Sequence, residues 1–243
     1  MLSQQLMGVY LQGSFAIGDF DENSDADFLV LLHSPLSAEQ VEQLNDMHRA
    51  IFALGGWGEH LEGSYFTREI FVKPPTGDRV WYLDHGHQTL CLSDHCNTLV
   101  VRHTLQTAGI TLYGEPPQQW MEPVPSEALR QEIYGVIQEW GATLLEQPDA
   151  YANRFYQGFI LINYCRMLHD FKRATVSSKR HGAAWAKANL DPKWRPWIDR
   201  AWGTRPDPAK QVRTPADPEA YAMTLEFVRE VMAVTKREFK RKM

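Results

Sequence analysis

The sequence predicts an α+β protein, in which a small mixed sheet with flanking helices is followed by an all-α helical bundle. Three observations lead there. Short apolar runs punctuated by turn residues fill the N-terminal third, helical periodicity runs through nearly all of the C-terminal half, and a proline-rich stretch lies between them. That stretch, Gly114 to Pro125, carries Pro116, Pro117, Pro123 and Pro125; it cannot continue a helix and reads as a stiff connector. The expected boundaries are therefore 1–114 for the first domain, 115–125 for the connector and 126–243 for the helical domain.

Val9 to Gln12 is a short apolar run closed by Gly13, and Phe28 to Leu32 is continuously apolar, as a strand buried on both faces is. Ser37 opens a capping-box pattern with Gln40. Val41, Leu44, Ile51 and Leu54 then keep one helical stripe until Gly55 and Gly56. Leu61 to Phe66 reads as a third strand, with Glu62 and Ser64 on one face because strand side chains alternate. A second helix is expected around Asn97 to Thr107 and an edge strand at Ile110 to Tyr113. Beyond the connector, Leu129, Ile133, Ile137, Trp140 and Leu144 mark one amphipathic helix, and Tyr151, Phe155, Phe159, Ile162 and Cys165 another. Asp217 and Pro218 supply the N-cap and first turn of a last helix carrying Tyr221, Leu225, Val228, Val231 and Met232. Its basic end, KREFKRK, suits the negative pole of the helix dipole.

Composition narrows the partners. With 243 residues and a net charge of -5, the chain lacks the basic excess that phosphate backbones demand, so no nucleic acid partner is expected. No apolar run approaches the roughly 20 residues of a membrane span, and the start MLSQQLMGVYLQ lacks the basic flank and apolar core of a signal peptide. Three cysteines, Cys91, Cys96 and Cys165, are too few for a disulfide framework and point to a reducing compartment, the cytoplasm by default. His85, His87, Cys91, His95, Cys96 and His103 lack the paired frame that fixes tetrahedral zinc, and read instead as exposed or capping side chains.

The segment GSFAIGDFDENSDADFLV, Gly13 to Val30, carries the chemistry. Gly13 lets the backbone approach a phosphate, and Ser14 places a hydroxyl beside the amides that open the next segment, an anion site suited to a triphosphate tail. Asp25 and Asp27 stand two apart at the start of a strand, so both carboxylates leave the same face and can share hard divalent cations. Ser24 lies between turn and carboxylates, where it can cap or touch phosphate.

A Gly-Ser turn, ten intervening residues, an Asp-x-Asp and a directly following apolar strand together resemble the signature of the polymerase-beta nucleotidyltransferase superfamily. The resemblance implies that residues 1–114 are a catalytic domain that passes a nucleoside monophosphate from a nucleotide to an acceptor hydroxyl. Such a hydroxyl needs a base or a metal to weaken its O–H bond. Glu62, in HLEGSYF, lies where superfamily members place their third acidic residue, with Glu59 and Glu69 as competitors.

From Leu161 to Ile198 the chain resembles the helical part of the aminoglycoside adenylyltransferases, and the matching segments cover most of its length. The resemblance implies ATP as co-substrate, about two magnesium ions on Asp25, Asp27 and Glu62, and a small hydroxyl-bearing acceptor held between the domains. It assigns nucleotide contacts to Gly13, Ser14, Ser24, Lys179 and Arg200, and acceptor contacts to Trp185 and Arg180. Trp185 on an Ala-rich helix and Arg166 within an apolar one also have ordinary packing roles. Streptomycin and spectinomycin adenylyltransferases carry acidic residues just after the lysine, whereas this chain has Arg180 and Ala184 there. A strongly cationic drug therefore finds less countercharge, unless Asp170, Asp191 or Glu127 supplies it. The first strand also begins only a few residues into the chain, where members of that family carry a preceding helix. A regulatory or antitoxin-like nucleotidyltransferase, acting on a protein hydroxyl or binding nucleotide without turnover, is the other reading of the same motif.

Overall fold

The computed structural model describes residues 2, 4–206 and 214–241. It divides into two compact units, Met1–Val124 and Pro125–Met243. The architecture is α+β.

In the first unit, β1 (Leu6–Leu11), α1 (Gly13–Ala16), β2 (Ala26–Leu32), α2 (Ala38–Phe52), β3 (Leu61–Thr67), α3 (Arg68–Phe71), β4 (Val80–Leu83), β5 (Cys91–Ser93), α4 (Leu99–Ala108) and β6 (Ile110–Gly114) follow one another. The sheet order is β5-β4-β3-β2-β1-β6. Only β2 and β3 pair in parallel, and α2 is the crossover that a parallel pair requires. The continuous apolar run of β2 is explained by its two buried faces. Leu29 and Leu31 join Tyr10, Phe66, Phe71 and Leu105 on one side, while Val30 and Leu32 join Leu44, Tyr65, Leu83 and Leu90 on the other.

Helix α2 starts with the expected capping box, Ser37 accepting from the Gln40 amide while the Gln40 side chain accepts from the Ser37 amide. It ends earlier than its apolar stripe suggested. Leu54 lies beyond the helix and is 83% exposed, while the buried face is made by Val41, Leu44, Asn45 and His48. The short strands β4 and β5 were not recognisable as a pair in the sequence, and β5 has two exposed residues among its three. Residues 115–124 pack on the first unit. Met121 is buried in its core, Trp120 lies against it, and Gln106 of α4 ties them down by accepting from the Val124 amide at 3.0 Å.

The second unit comprises α5 (Ser126–Glu146), α6 (Arg154–Arg173), α7 (Lys179–Asn189), α8 (Arg195–Gly203) and α9 (Pro218–Lys240). Helix α6 touches each of the other four, because Ile160, Leu161, Ile162, Tyr164, Cys165, Leu168 and Phe171 leave it apolar nearly all round. Gly182 allows α7 to lie close on it: a Cβ there would stand 2.4 Å from Arg166 Cα. Asp217 caps α9 by accepting from the Ala220 amide at 2.9 Å, with Pro218 in the first turn. Of the basic end, Lys242 lies outside the described residues. Among the described residues no helix is long and apolar enough to cross a membrane.

His48 gives the first unit a pH dependence. It is buried, with Nε2 2.8 Å from the Tyr65 hydroxyl, and burial lowers its pKa from 6.5 to about 4. Between those values the unfolded chain binds a proton that the folded chain refuses, so this contribution is present at neutral pH and lost on acidification. Urea unfolding at pH 7 and pH 4.5 is expected to show the wild type losing ~1–3 kcal/mol more than His48→Gln across that window. Equal losses would place the acid sensitivity elsewhere.

Candidate active site

The end of β1 is clamped to β2 where the Gln12 amide donates to the Asp27 carbonyl at 2.9 Å. Gly13 follows with φ +62, and a Cβ there would stand 1.8 Å from Asp27 Oδ2. Glycine is thus required twice, once for the left-handed backbone and once for the room that the Asp27 carboxylate occupies. Ser14 is the second residue of the single turn α1, and its carbonyl accepts from the Asp19 amide at 3.0 Å. Ser24 is engaged within its own loop: its hydroxyl oxygen accepts from the Asp21 amide at 2.9 Å. Asp25 immediately precedes β2 and Asp27 is its second residue, which puts both carboxylates on one face.

The parallel register sets Asp27 directly beside Glu62 on β3. Ligand atoms of Asp25, Glu62 and His85 all lie within 4.8 Å of one another. His85 Nδ1 is 2.5 Å from Asp25 Oδ1, and their side chains are 11% and 19% exposed. Tyr82 on β4 places its hydroxyl 2.5 Å from Glu62 Oε1 and 3.1 Å from Asp84 Oδ1. A phenol has one hydrogen, and the shorter contact makes Glu62 its acceptor. Burial, then the charge of Asp25, holds the Glu62 carboxyl above the usual carboxylate range, while the Tyr82 hydrogen bond and His95 oppose this. Of its two competitors, Glu69 is 80% exposed and bound to Lys73, and Glu59 lies on the short turn before β3.

Tyr82, Asp84 and His85 are site residues that the sequence reading missed. The available signal was the run Val80-Trp81-Tyr82-Leu83, a short strand whose end delivers Asp84 and His85. His85 accordingly is not the exposed or capping histidine expected. His87 is exposed and Cys91 lies exposed on β5, but His95 and buried Cys96 bring ligand atoms to within 4.8 Å of Glu62. An unbroken series of ring contacts also leads outward from His85. It runs through His60 at 5.5 Å, Trp57 at 5.5 Å from His60, and Phe15 at 4.9 Å from Trp57, to Phe20 stacked on Phe15 at 4.3 Å.

The remaining candidates lie in the second unit. Ser178 caps α7 by accepting from the His181 amide at 2.9 Å, so Lys179 is the first helical residue, its ammonium 5.4 Å from the Phe159 ring centre. Arg180 lies 6.0 Å from the ring of Trp202. Arg200 pairs with Asp217 at 3.0 Å, and Trp185 packs 5.4 Å from His169. Arg166 is tethered to Asn163 within its own helix at 2.9 Å.

Residues 3–56 match the model of the nucleotidyltransferase domain, and residues 119–233 match that of the aminoglycoside adenylyltransferase C-terminal domain. No curated protein matches by sequence. Among solved structures, the spectinomycin adenyltransferase AAD(9) from Enterococcus faecialis, solved with ATP and spectinomycin, shares the fold. Its TM-score is 0.69 at 16% identity, over 96% of this chain and 93% of that one. A nucleotidyltransferase domain of this fold, with its Gly-Ser turn against Asp27, makes the chain an enzyme of the nucleotidyltransferase class. The helical half narrows the class: the chain is an aminoglycoside adenylyltransferase-like nucleotidyltransferase.

Gly13 offers a test of the turn. Gly18 also has a left-handed φ, +70, but nothing lies within 4 Å of a Cβ there. Gly18→Ala is therefore expected to cost only the backbone term of about 1 kcal/mol, and Gly13→Ala ~1–3 kcal/mol more from the clash with Asp27. Chemical denaturation of the two variants separates these terms, and equal losses would show that Asp27 does not crowd the turn.

Proposed function

We propose that this enzyme transfers AMP from ATP to a hydroxyl of a small, aminoglycoside-like acceptor, releasing pyrophosphate and requiring magnesium. The observation that carries the reading is the convergence of Asp25 and Glu62 beside an Asp27 that touches Gly13. Asp25, Asp27 and Glu62 supply hard oxygen donors on one face of the sheet, a set suited to magnesium. Burial lifts the Glu62 carboxyl first and the charge of Asp25 second, and the repulsion between the two carboxylates is what a cation would relieve. Bound there, about two magnesium ions would orient the triphosphate and neutralise charge on its oxygens.

The chain's own groups divide the remaining work. The Gly13–Ser14 turn receives phosphate oxygens, with Lys179 and Arg200 assigned to the nucleotide by resemblance. Glu62 accepts the proton of the acceptor hydroxyl as its oxygen bonds to the α-phosphorus and the bond to pyrophosphate breaks. Tyr82 fixes the Glu62 carboxylate by donating to Oε1. Three cysteines without disulfides fit a cytoplasmic enzyme.

Two substitutions test the chemistry. Asp27→Asn is expected to abolish ATP-dependent pyrophosphate release while the far-ultraviolet circular dichroism stays unchanged; retained turnover with magnesium would remove the metal role. Glu62→Gln is expected to keep nucleotide binding by calorimetry and lower the chemical rate by roughly 10² to 10⁴. An unchanged rate would move the base elsewhere.

Acceptor choice follows from the second unit. Arg180 and Ala184 stand where streptomycin and spectinomycin adenylyltransferases carry acidic residues, and the carboxylates that could compensate are engaged. Asp170 is buried against His169 and Ser177, Asp191 accepts from the Lys193 amide at 2.9 Å, and Glu127 pairs with Arg130. Pyrophosphate release is therefore expected to be weak with streptomycin and stronger with less cationic acceptors. An Arg180→Asp, Ala184→Asp double variant is expected to gain streptomycin use by at least about tenfold, as a desolvated charge pair is worth more than 1.4 kcal/mol. Tight streptomycin use by the wild type at moderate salt would refute this.

A further inference from the structure

The first unit holds a second group of metal-ligand side chains, two of which the reaction does not use. Ligand atoms of Glu62, His95 and Cys96 lie within 4.8 Å of one another, and only Glu62 is shared with the carboxylate site. A tetrahedral zinc ion, with Zn–S about 2.3 Å and Zn–N or Zn–O about 2.0–2.2 Å, sets neighbouring ligands roughly 3.3–3.7 Å apart. A closure of about an ångström would therefore complete the site. A carboxylate has about four lone-pair positions, so the hydrogen bond from Tyr82 to Oε1 leaves room for a metal on Glu62.

The loop that carries His95 and Cys96 is anchored. Asn97 donates to the Asp78 carbonyl at 3.0 Å and accepts from Arg102 at 3.0 Å, and the His95 amide donates to Ser93 Oγ at 3.1 Å. Burial first, then the charges of Glu62, Asp27 and Asp84, keep the Cys96 thiol protonated above the usual range. Hard magnesium has no preference for a thiol or an imidazole, whereas zinc binds both and displaces the thiol proton.

We propose that Glu62, His95 and Cys96 form a three-ligand site for a soft divalent transition metal, zinc above all, with solvent as the fourth ligand. When zinc binds, the Zn–S bond forms, the Cys96 proton leaves to solvent, and the Glu62 carboxylate becomes a ligand. The consequence for activity rests on the proposed role of Glu62: a carboxylate held by zinc beside Cys96 and His95 is no longer available to magnesium or to the acceptor proton, so zinc is an inhibitor that magnesium does not displace.

Cobalt(II) reports on the site without any turnover. Titration of the full chain is expected to give one equivalent of cobalt with a thiolate charge-transfer band, bleached by zinc, retained in Cys91→Ser and lost in Cys96→Ser. His95→Asn, at an exposed position and so safe for folding, is expected to weaken cobalt binding by at least tenfold. No band, or a band that survives Cys96→Ser, overturns the site. In the pyrophosphate assay under saturating magnesium, zinc is expected to inhibit the wild type. Cys96→Ser and His95→Asn should need at least tenfold more zinc for half-inhibition, each measured against its own zinc-free rate. Zinc binding without inhibition overturns the link to Glu62. A cobalt band in a chain that shows no transfer with any acceptor supports the site and counts against the transferase reading instead.

Discussion

The pairing of β2 with β3 is the constraint on which the rest of the site depends. These strands run parallel with Asp27 beside Glu62, so the third carboxylate reaches the first two by register alone, without help from a loop. A slip of one residue would send Glu62 to the opposite face, and a slip of two would displace it by roughly 6.6 Å along the strand. The register is held by burial on both sides. Leu29 and Leu31 pack into one core and Val30 and Leu32 into the other, so a slip would have to repack both. Core packing and active-site geometry are thus one specification. The same dependence explains why Gly13 sits where it does, because β1 must end against Asp27 without a side chain in the way.

Holding carboxylates together in a half-buried place works against folding. Asp25 and burial both disfavour the charged form of Glu62, and such strain persists only when surrounding packing over-determines it. Here the answer is an arrangement of partial compensations: Tyr82 donates to Glu62, and His85 lies against Asp25. Both come from β4 and the residue run that follows it. The hairpin partner of β3 is therefore the support of the carboxylates proposed to act in catalysis rather than a passive edge of the sheet.

What could be read in the sequence follows from this division. The Gly13, Asp25 and Asp27 arrangement was legible because its parts are close in sequence and each type has a distinct physical task. Strand β2 and helix α2 were legible because the first is apolar throughout and the second is capped by Ser37 and Gln40. Leu54 misled, since helical spacing continues on paper after the helix has ended. Tyr82, Asp84 and His85 were opaque for another reason. Strand β4 has four residues, too few for alternation to establish a period, and β5 has three. The histidines and cysteines from His85 to Cys96 failed a spacing test suited to closed zinc frames. What joins three of them to Glu62 is a long-range strand pairing, in which Ser64 lies beside Tyr82 and Tyr82 beside Cys91, and that has no local signature.

In the second unit the constraints are of a different kind. Helix α6 is buried against every other helix of its unit, and the charged residues at the start of α7 are placed by the Ser178 cap and by the close approach that Gly182 permits. Lys179 and Arg180 therefore have fixed backbone positions, while their side chains end against Phe159 and Trp202. An arginine over an indole is a different surface from a carboxylate: it repels cations, accepts planar and anionic groups, and keeps part of its attraction when salt screens the charge. Substitution at Arg180 alters this surface without touching the strand register that sets Asp27 beside Glu62. On the proposed assignment of acceptor contacts to the second unit and transfer chemistry to the first, selectivity can diverge while the chemistry stays intact, because different units of the fold specify the two.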